Sequence, residues 1–590
     1  MKLESEFEDD MNCFDITWVA THPNTPLKDC VYIGGEENGA WWGGGELSNG
    51  GYPLHQSNPI SSSPLITGEI DSYTWGHVLR NSFISSKGVL INLSPNMLAN
   101  VSINSEKENY MCFSVGSSLD SEPAVLNYSI CTAENISTLH HYINSKNIYY
   151  DDLKNMFSDN EDAEFPDEMG EIILSQVADR IQHPVWRPWI SSADGVLTQD
   201  FVLNYVEEII NKKMGQWGHI LLPTSWQEKC GSLSFDLERF PDPAFMAETL
   251  TRQGFRLALS INPMVDSDSV TFKNGTAAGL WVRQYHSSLP VLTRTKDVLA
   301  AAIIDFTNPR SFDWFSNKLK LLDERYTIDR FHLVPTSAHD LPQFHEFHEP
   351  ITNPDQTLDM FLDAVSRFSH PISTEVSINV PVPPTFITIS SSEGEWKALE
   401  TMVHRVITLS MLGMPFIDTG IIGGGKCKPG YIPDQELYIR WLQVAAFLPA
   451  VQMCVLPHAY SQNIEAIALD FSKKRKMHVL GRFEKEYKNA MLKGKPLITP
   501  LALMYPDDEE AIKINDQWLI GDNLLVAPIL KQGHRARDVY LPEGLWKDMT
   551  DNHIKGGKAW HHGLRVPLTD IGLFRLLKVE GYTDDKIVNN

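Results

Sequence analysis

The chain has no long run of positive charge. Lysine and arginine number 50 against 75 aspartate and glutamate, and the formal net charge is −25. A surface of that sign repels a duplex and an anionic membrane, so no nucleic-acid partner is expected. Long hydrophobic runs are also missing. The most apolar stretch, Trp441 to Pro457, is broken by Gln443, Pro449, Gln452 and Pro457. A membrane-spanning helix needs about 20 mostly apolar residues, so this stretch reads as a buried helix and strand and no span is expected. Cysteine is scarce, with seven in 590 residues and no C-x-x-C pair of a zinc or redox site. Phosphate loops are absent as well. WWGGGE (Trp41–Glu46) and IIGGGK (Ile421–Lys426) are glycine-rich, but neither ends in G-K-[S/T]. The run from His339 to Glu349 has metal-ligand residue types without the H-E-x-x-H spacing, and Pro342 and Pro350 mark it as a loop. No cofactor and no metal is expected.

Marks of the secretory pathway are present. Five N-x-Ser/Thr sequons begin at Asn92, Asn100, Asn127, Asn135 and Asn274 and are expected glycosylation sites. Cys13 with Cys30, and Cys112 with Cys131, can pair in an oxidising lumen; the other reading is buried free thiols. The opening MKLESEFEDD is polar and acidic, unlike a signal peptide. The expectation is a lumenal or extracellular chain whose leader lies outside this sequence.

Three units are expected. Residues 1–165 alternate short apolar runs such as Val31–Ile33, Val89–Leu93 and Tyr110–Val115 with Gly, Ser, Asn and Pro, which suggests an antiparallel, sandwich-like β-domain. An acid-rich stretch, Asp151–Glu171, reads as a solvated linker or a helix-flanking loop. Residues 170–500 switch to a strand-then-helix rhythm. Strands are expected at Pro184–Ile190, His219–Leu222, Arg256–Ile261, Phe331–Val334, Glu375–Asn379, Phe386–Ile389, Pro415–Ile417 and Val451–Leu456. Thr198, Asp242 with Pro243, and Asn308 with Pro309 open helices between them. Eight such units imply a parallel (β/α)8 barrel. Residues 501–590 return to short strands, at Gln517–Ile520, Leu524–Ile529, Arg537–Leu541 and Leu564–Pro567, and read as a closing β-domain.

A barrel's site lies at the C-terminal ends of its strands. The residues expected there are Pro223, Thr224, Asn262, Val334 to Thr336, Asn379, Thr388, Ser390, Asp418 to Gly420, Pro457 and His458. Of these only Asp418 is acidic.

The order and spacing of several segments carry a resemblance. They are WWGGGE (Trp41–Glu46), PVWRPW (Pro184–Trp189), FDLERFPDP (Phe235–Pro243), GFRLALSINP (Gly254–Pro263), IIDFTNP (Ile303–Pro309), TLSMLGMPF (Thr408–Phe416), ELYIRWLQ (Glu436–Gln443) and GDNLLVAPIL (Gly521–Leu530). Together they resemble glycoside hydrolase family 31 over nearly the whole length. The resemblance implies a β-sandwich, a barrel and a C-terminal β-domain, with retaining hydrolysis of α-linked sugars. That chemistry uses two carboxyl groups about 5–5.5 Å apart, one a nucleophile and one an acid/base. The family nucleophile is the Asp of an F-K-F-D-A-G-E motif, and the matching segment FHLVPTS (Phe331–Ser337) puts Val334 in its place. The acid/base position falls on Thr388 or Ser390. The family's sugar-binding D-D-K-W becomes Pro223, Thr224, Ser225 and Trp226, and its P-D-M becomes Thr419, Gly420 and Ile421. After Leu292–Arg294, which keeps the family's L-T-R, a W-W-N becomes Thr295, Lys296 and Asp297.

The expectation is therefore a glycosidase fold without glycosidase chemistry, binding a glycan or a protein at the barrel mouth. Trp42, Trp226 and Arg294 are the candidate ligand-binding residues. One alternative is an active retaining α-glycosidase with relocated carboxylates, Asp340 and Asp418. Another is an interaction protein with a vestigial pocket.

Overall fold

A computed structural model of the chain describes residues 2–8, 11–22, 25–48, 51–70, 72–116, 123–145, 168–294, 298–334, 336–366, 372–378, 385–389, 394–493 and 495–578. Asn379, Ser390, Thr295 to Asp297 and most of the 151–171 stretch fall outside them.

The N-terminal part is two antiparallel sheets. One runs in the order Lys2–Glu8, Met11–Val19, Val125–Ala133, Val89–Leu93 and Trp75–Ser85, with Trp41–Leu47 also paired to Trp75–Ser85. The other orders Leu27–Tyr32, Tyr110–Val115, Asn100–Ile103 and Ile60–Pro64. Alternate residues of such strands face inward. Phe83, Ile91, Val101, Phe113 and Leu126 are fully buried and form one core.

This packing corrects the expected cysteine pairing. Cys13 stands directly opposite Cys131 in one sheet, and Cys30 opposite Cys112 in the other. The disulfides are accordingly Cys13–Cys131 and Cys30–Cys112, with a third joining Cys427 to Cys454. Cys13 and Cys30 do not pair. Strand register decides which sulfurs meet, and the partners lie 118 and 82 residues apart in sequence.

The centre is a closed barrel of eight parallel strands. In order these are Val185–Trp186, Gly218–Leu222, Phe255–Ile261, Arg330–Leu333, Ser373–Thr374, Phe386–Thr388, Ile417–Ile421 and Ala450–Met453. The first and last strands pair through Val185 with Gln452 and Trp186 with Met453, which closes the ring. The helices start where side-chain acceptors lead. Thr198 accepts from the Phe201 N–H, Asp242 from Phe245 and Asn308 from Arg310, so backbone donors left over at each helix start are satisfied.

The fifth strand departs from the sequence expectation. It is Ser373–Thr374, and it ends before Glu375. The next extended pair, Ser377–Ile378, leaves the barrel and pairs with Val78 and Leu79 of the N-terminal sheet. The expected strand Glu375–Asn379 therefore starts one residue beyond the barrel strand, and its Ser377–Ile378 portion joins the N-terminal sheet instead.

The C-terminal domain is a six-stranded sheet, Ile498–Pro500, Trp518–Ile520, Leu524–Ala527, Gly572–Lys578, Leu545–Asp548 and Ile554–Gly556, beside a two-stranded antiparallel sheet of Ala536–Leu541 and Ala559–Arg565. Leu564 lies near the end of the second of these, and the inner strand Gly572–Lys578 escapes the sequence reading. Among the described residues no helix is long and apolar enough to cross a membrane.

Candidate functional site

The described strand ends bring together few acids. After strands one to five stand Arg187, Pro223, Asn262, Val334 and Glu375; Ile389, Ile422 and Cys454 follow the last three. Glu375 is the one carboxylate among them. It lies at the barrel mouth because strand five stops at Thr374, two residues before the chain turns to the N-terminal sheet.

Glu375 is held by two partners from other strands. His332 Nε2 donates to Glu375 Oε1 at 3.0 Å, and Arg187 Nη2 lies 3.4 Å from the same oxygen. The Ser373 hydroxyl meets His332 Nδ1 at 2.8 Å, and Arg187 Nη2 also lies 3.0 Å from His332 Nε2. His332 is fully buried, and the Glu375 side chain keeps 27% of its exposure. Burial raises the carboxyl, but the His332 hydrogen bond and the charges of His332 and Arg187 outweigh it and bring it down to about 2. Burial also lowers the His332 imidazole, although its bond to Glu375 opposes this.

Val334 follows two residues after His332, so the pleat puts both on one face of the strand. Its N–H donates to the Ile261 carbonyl at 2.9 Å, and its side chain is half-buried at the strand's end. Thr388 ends the sixth strand, is 1% exposed, and its hydroxyl accepts from Gln452 Nε2 at 3.2 Å.

Asp418 lies deeper, and the structure gives it other work. Its Oδ2 receives Arg180 Nη2 in a fully buried ion pair and Gln452 Nε2 at 2.7 Å, while Oδ1 accepts from the Gly420 N–H at 2.9 Å. Its side chain has no exposure left for a substrate. Asp340 sits in the loop after strand four. It accepts from the Ser337 N–H at 2.8 Å, and the Ser337 hydroxyl caps the same turn. Burial raises its carboxyl, with the Ser337 bond opposing.

That loop is fastened to the N-terminal domain. The Ser337 hydroxyl donates to the Thr67 carbonyl at 2.8 Å, and the Ala338 N–H to the Thr67 hydroxyl at 3.1 Å. Thr67 in turn donates to Asp355 Oδ1 at 2.7 Å. Tyr73 stacks on His339, 3.7 Å between ring centroids and nearly coplanar.

The expected aromatic contacts need correction. Trp42 is 3% exposed in the core of the N-terminal sheets. Trp226 is fully buried, donates its indole N–H to the Ser260 carbonyl at 2.9 Å and packs on Phe235. Neither ring offers a face to a ligand. Arg294 is exposed beside Leu292–Thr293. Trp189, just beyond strand one, is half-buried, and its indole N–H has no partner among the described residues. Sequence reading missed Arg187, His332, Glu375 and Trp189. The PVWRPW segment was the available signal for two of them. Of the sequon asparagines, Asn92, Asn127 and Asn274 are exposed, while Asn100 and Asn135 are half-buried. Among the described residues no group of three His, Cys, Asp or Glu side chains is placed to hold a metal ion.

A closed (β/α)8 barrel set between two β-domains defines a three-part barrel protein. The chain matches the Glycosyl hydrolases family 31 TIM-barrel domain over residues 191–356 and 390–474, and the Glycosyl hydrolase family 31 C-terminal domain over 494–575. It belongs to glycoside hydrolase family 31. It is 26% identical over 559 residues to the mouse "Myogenesis-regulating glycosidase", spanning 92% of this chain and 75% of that protein. It is 23% identical over 581 residues to the "SITS-binding protein" of Tetronarce californica, spanning 95% of this chain and 77% of that one. Among solved structures, the Flavobacterium johnsoniae GH31 dextranase complexed with glucose superposes with a TM-score of 0.74 at 18% identity, covering 99% of this chain and 74% of that one. The cycloalternan-degrading enzyme of Trueperella pyogenes in complex with isomaltose gives 0.74 at 15% identity, covering 98% and 84%. At these identities the structural likeness concerns the fold.

Proposed function

We propose that the barrel mouth binds an α-linked sugar and does not hydrolyse it. One observation carries this reading. Val334 follows strand four and Thr388 ends strand six, side chains that neither attack an anomeric carbon nor exchange a proton near neutral pH. Glu375 is ionised throughout the working range, so it can accept a hydrogen bond from a sugar hydroxyl but cannot serve as a general acid. Trp189 supplies an aromatic surface of the kind sugars stack on, in place of Trp42 and Trp226.

The relatives favour a second reading, an active α-glycosidase, more than they favour a silent one. The dextranase and the cycloalternan-degrading enzyme are named for cleaving glucans, and they hold glucose and isomaltose. In that reading Glu375 is the ionised carboxylate and Asp340, raised by burial, the protonated one. Asp340 already accepts from the Ser337 N–H within a tight turn, which counts against it.

We also propose that the chain folds in an oxidising lumen or outside the cell. Three disulfides and the exposed sequons at Asn92, Asn127 and Asn274 support this.

Calorimetric titration of the full chain with isomaltose and maltose tests the binding reading. Saturable binding is expected, and Val334→Trp, which fills the mouth, should abolish it. No binding by folded wild-type protein, or equal binding by Val334→Trp, would refute the proposal.

A further inference from the structure

The opposite end of the barrel holds a cavity that the mouth does not involve. It measures about 440 Å3 and opens among the turns before strands one and two, helix Gln435–Ala446 and helix Gln462–Arg475. Small-molecule sites run from about 300 to 1,000 Å3. Its walls are mostly apolar, with half-buried Met214, Val451 and Leu480 among them. Trp217 at the edge is 59% exposed, which leaves a large aromatic surface in water.

The charge of the lining is one-sided. None of its residues is acidic, in a chain whose net charge is −25. Lys213 and Lys476 line it, both exposed, and neither has an ion-pair partner among the described residues. Arg475 also lines it. Its guanidinium donates to the carbonyls of Ile181, Ala446, Leu448 and Pro449 at 2.6–3.0 Å, so no carboxylate neutralises it directly. Trp186 is 1% exposed, and its indole N–H has no acceptor among the described residues. Residues Lys476–Leu480 form a π-helical turn at the cavity's edge, a local distortion frequent at functional sites.

We propose that this cavity binds a free amphipathic organic anion, with its apolar body against Trp217 and the half-buried apolar wall and a carboxylate or sulfonate head at the lysine rim. Apolar walls exclude a bare inorganic anion, and the unpaired cations favour an acid over a neutral hydrocarbon.

Fluorescence titration of the full chain with 8-anilinonaphthalene-1-sulfonate and with neutral N-phenyl-1-naphthylamine tests this. The sulfonate should bind at least about tenfold more tightly than the neutral probe, about 1.4 kcal/mol. The double variant Lys213→Glu, Lys476→Glu should erase that preference while the neutral probe still binds. Leu469→Trp, on the half-buried cavity wall, should weaken both probes about tenfold, and decanoate should displace the sulfonate. Far-UV circular dichroism confirms that each variant is folded, and the charge variants alter only exposed positions. An unchanged preference after charge reversal, or probes indifferent to Leu469→Trp, would overturn the proposal. Displacement by phosphatidylserine vesicles but not by decanoate would overturn it in favour of a membrane contact. Isomaltose binding at the mouth should be unaffected in all these variants, so the two proposals fail separately.

Discussion

His332 is the residue on which the mouth's electrostatics turn. It donates to Glu375, and that bond helps to hold the carboxyl at about 2 against an ordinary 4.5. A carboxyl depressed in the folded chain stabilises the fold fully above its unfolded value and loses that contribution as pH falls from about 4.5 toward 2. The imidazole adds a second limb. Its own value is lowered by burial, so its contribution is lost as pH falls below 6.5. Replacing His332 with Leu should flatten the fall of melting temperature between pH 7 and 3, and an unchanged slope would show that the pair does not couple to folding. Asp418 makes a different prediction. Asp418→Asn leaves the buried Arg180 guanidinium without its counter-charge, at a cost of about 3 kcal/mol or more. Thermal unfolding should show a loss of several degrees, whereas a mere surface acid would move it little.

At the scale of elements, the loop after strand four is positioned by the N-terminal domain through Thr67. Burial raises the Asp355 carboxyl to about 6, with the hydrogen bonds from Thr67 opposing. Thr67→Val removes the hydroxyl that serves both Asp355 and the Ala338 N–H, at a cost of about 1–3 kcal/mol. Limited proteolysis should then cut faster between the N-terminal domain and the barrel. An unaltered cleavage pattern would mean that other contacts, among them the pairing of Ser377–Ile378 with Val78 and Leu79 and the packing of Met411 and Leu412 into the N-terminal core, hold the domains together without it. These elements differ in how far they could be read from sequence. Gly218–Leu222 and Phe255–Ile261 are legible because buried parallel strands are near-continuous apolar runs. Helices led by Thr198, Asp242 and Asn308 are legible because capping is local chemistry. Ser373–Thr374 is illegible because two polar residues give no apolar signal. The Arg187, His332 and Glu375 cluster is illegible for another reason. His332 and Glu375 lie 145 and 188 residues beyond Arg187, and only barrel closure brings them together. The place of Val334 at the end of strand four was readable because Phe331–Val334 is a short, largely apolar strand-like run.

Across the whole molecule, the sheets of the N-terminal domain are stapled across strands far apart in sequence. By the chain-entropy account, closing loops of 118 and 82 residues contributes on the order of 4 kcal/mol each. Peptide mapping without reductant should recover Cys13 with Cys131 and Cys30 with Cys112. Reduction should lower the unfolding temperature of the N-terminal domain before that of the C-terminal sheet, which contains no disulfide among those described. Recovery of a Cys13–Cys30 peptide would contradict the strand register.

The proposed sugar-binding mouth lacks two working carboxyl groups, so it should not turn over a glycoside. Hydrolysis of fluorogenic α-glucoside, α-galactoside, α-xyloside and α-mannoside by the purified full chain, from pH 4 to 8, tests it most directly. Val334→Asp, Glu375→Gln and Asp340→Asn variants belong in the same assay. No turnover is expected from the wild type and none from Val334→Asp, because Thr388 still stands at the end of strand six. Wild-type turnover abolished by Glu375→Gln or Asp340→Asn would contradict it and identify a relocated catalytic carboxylate.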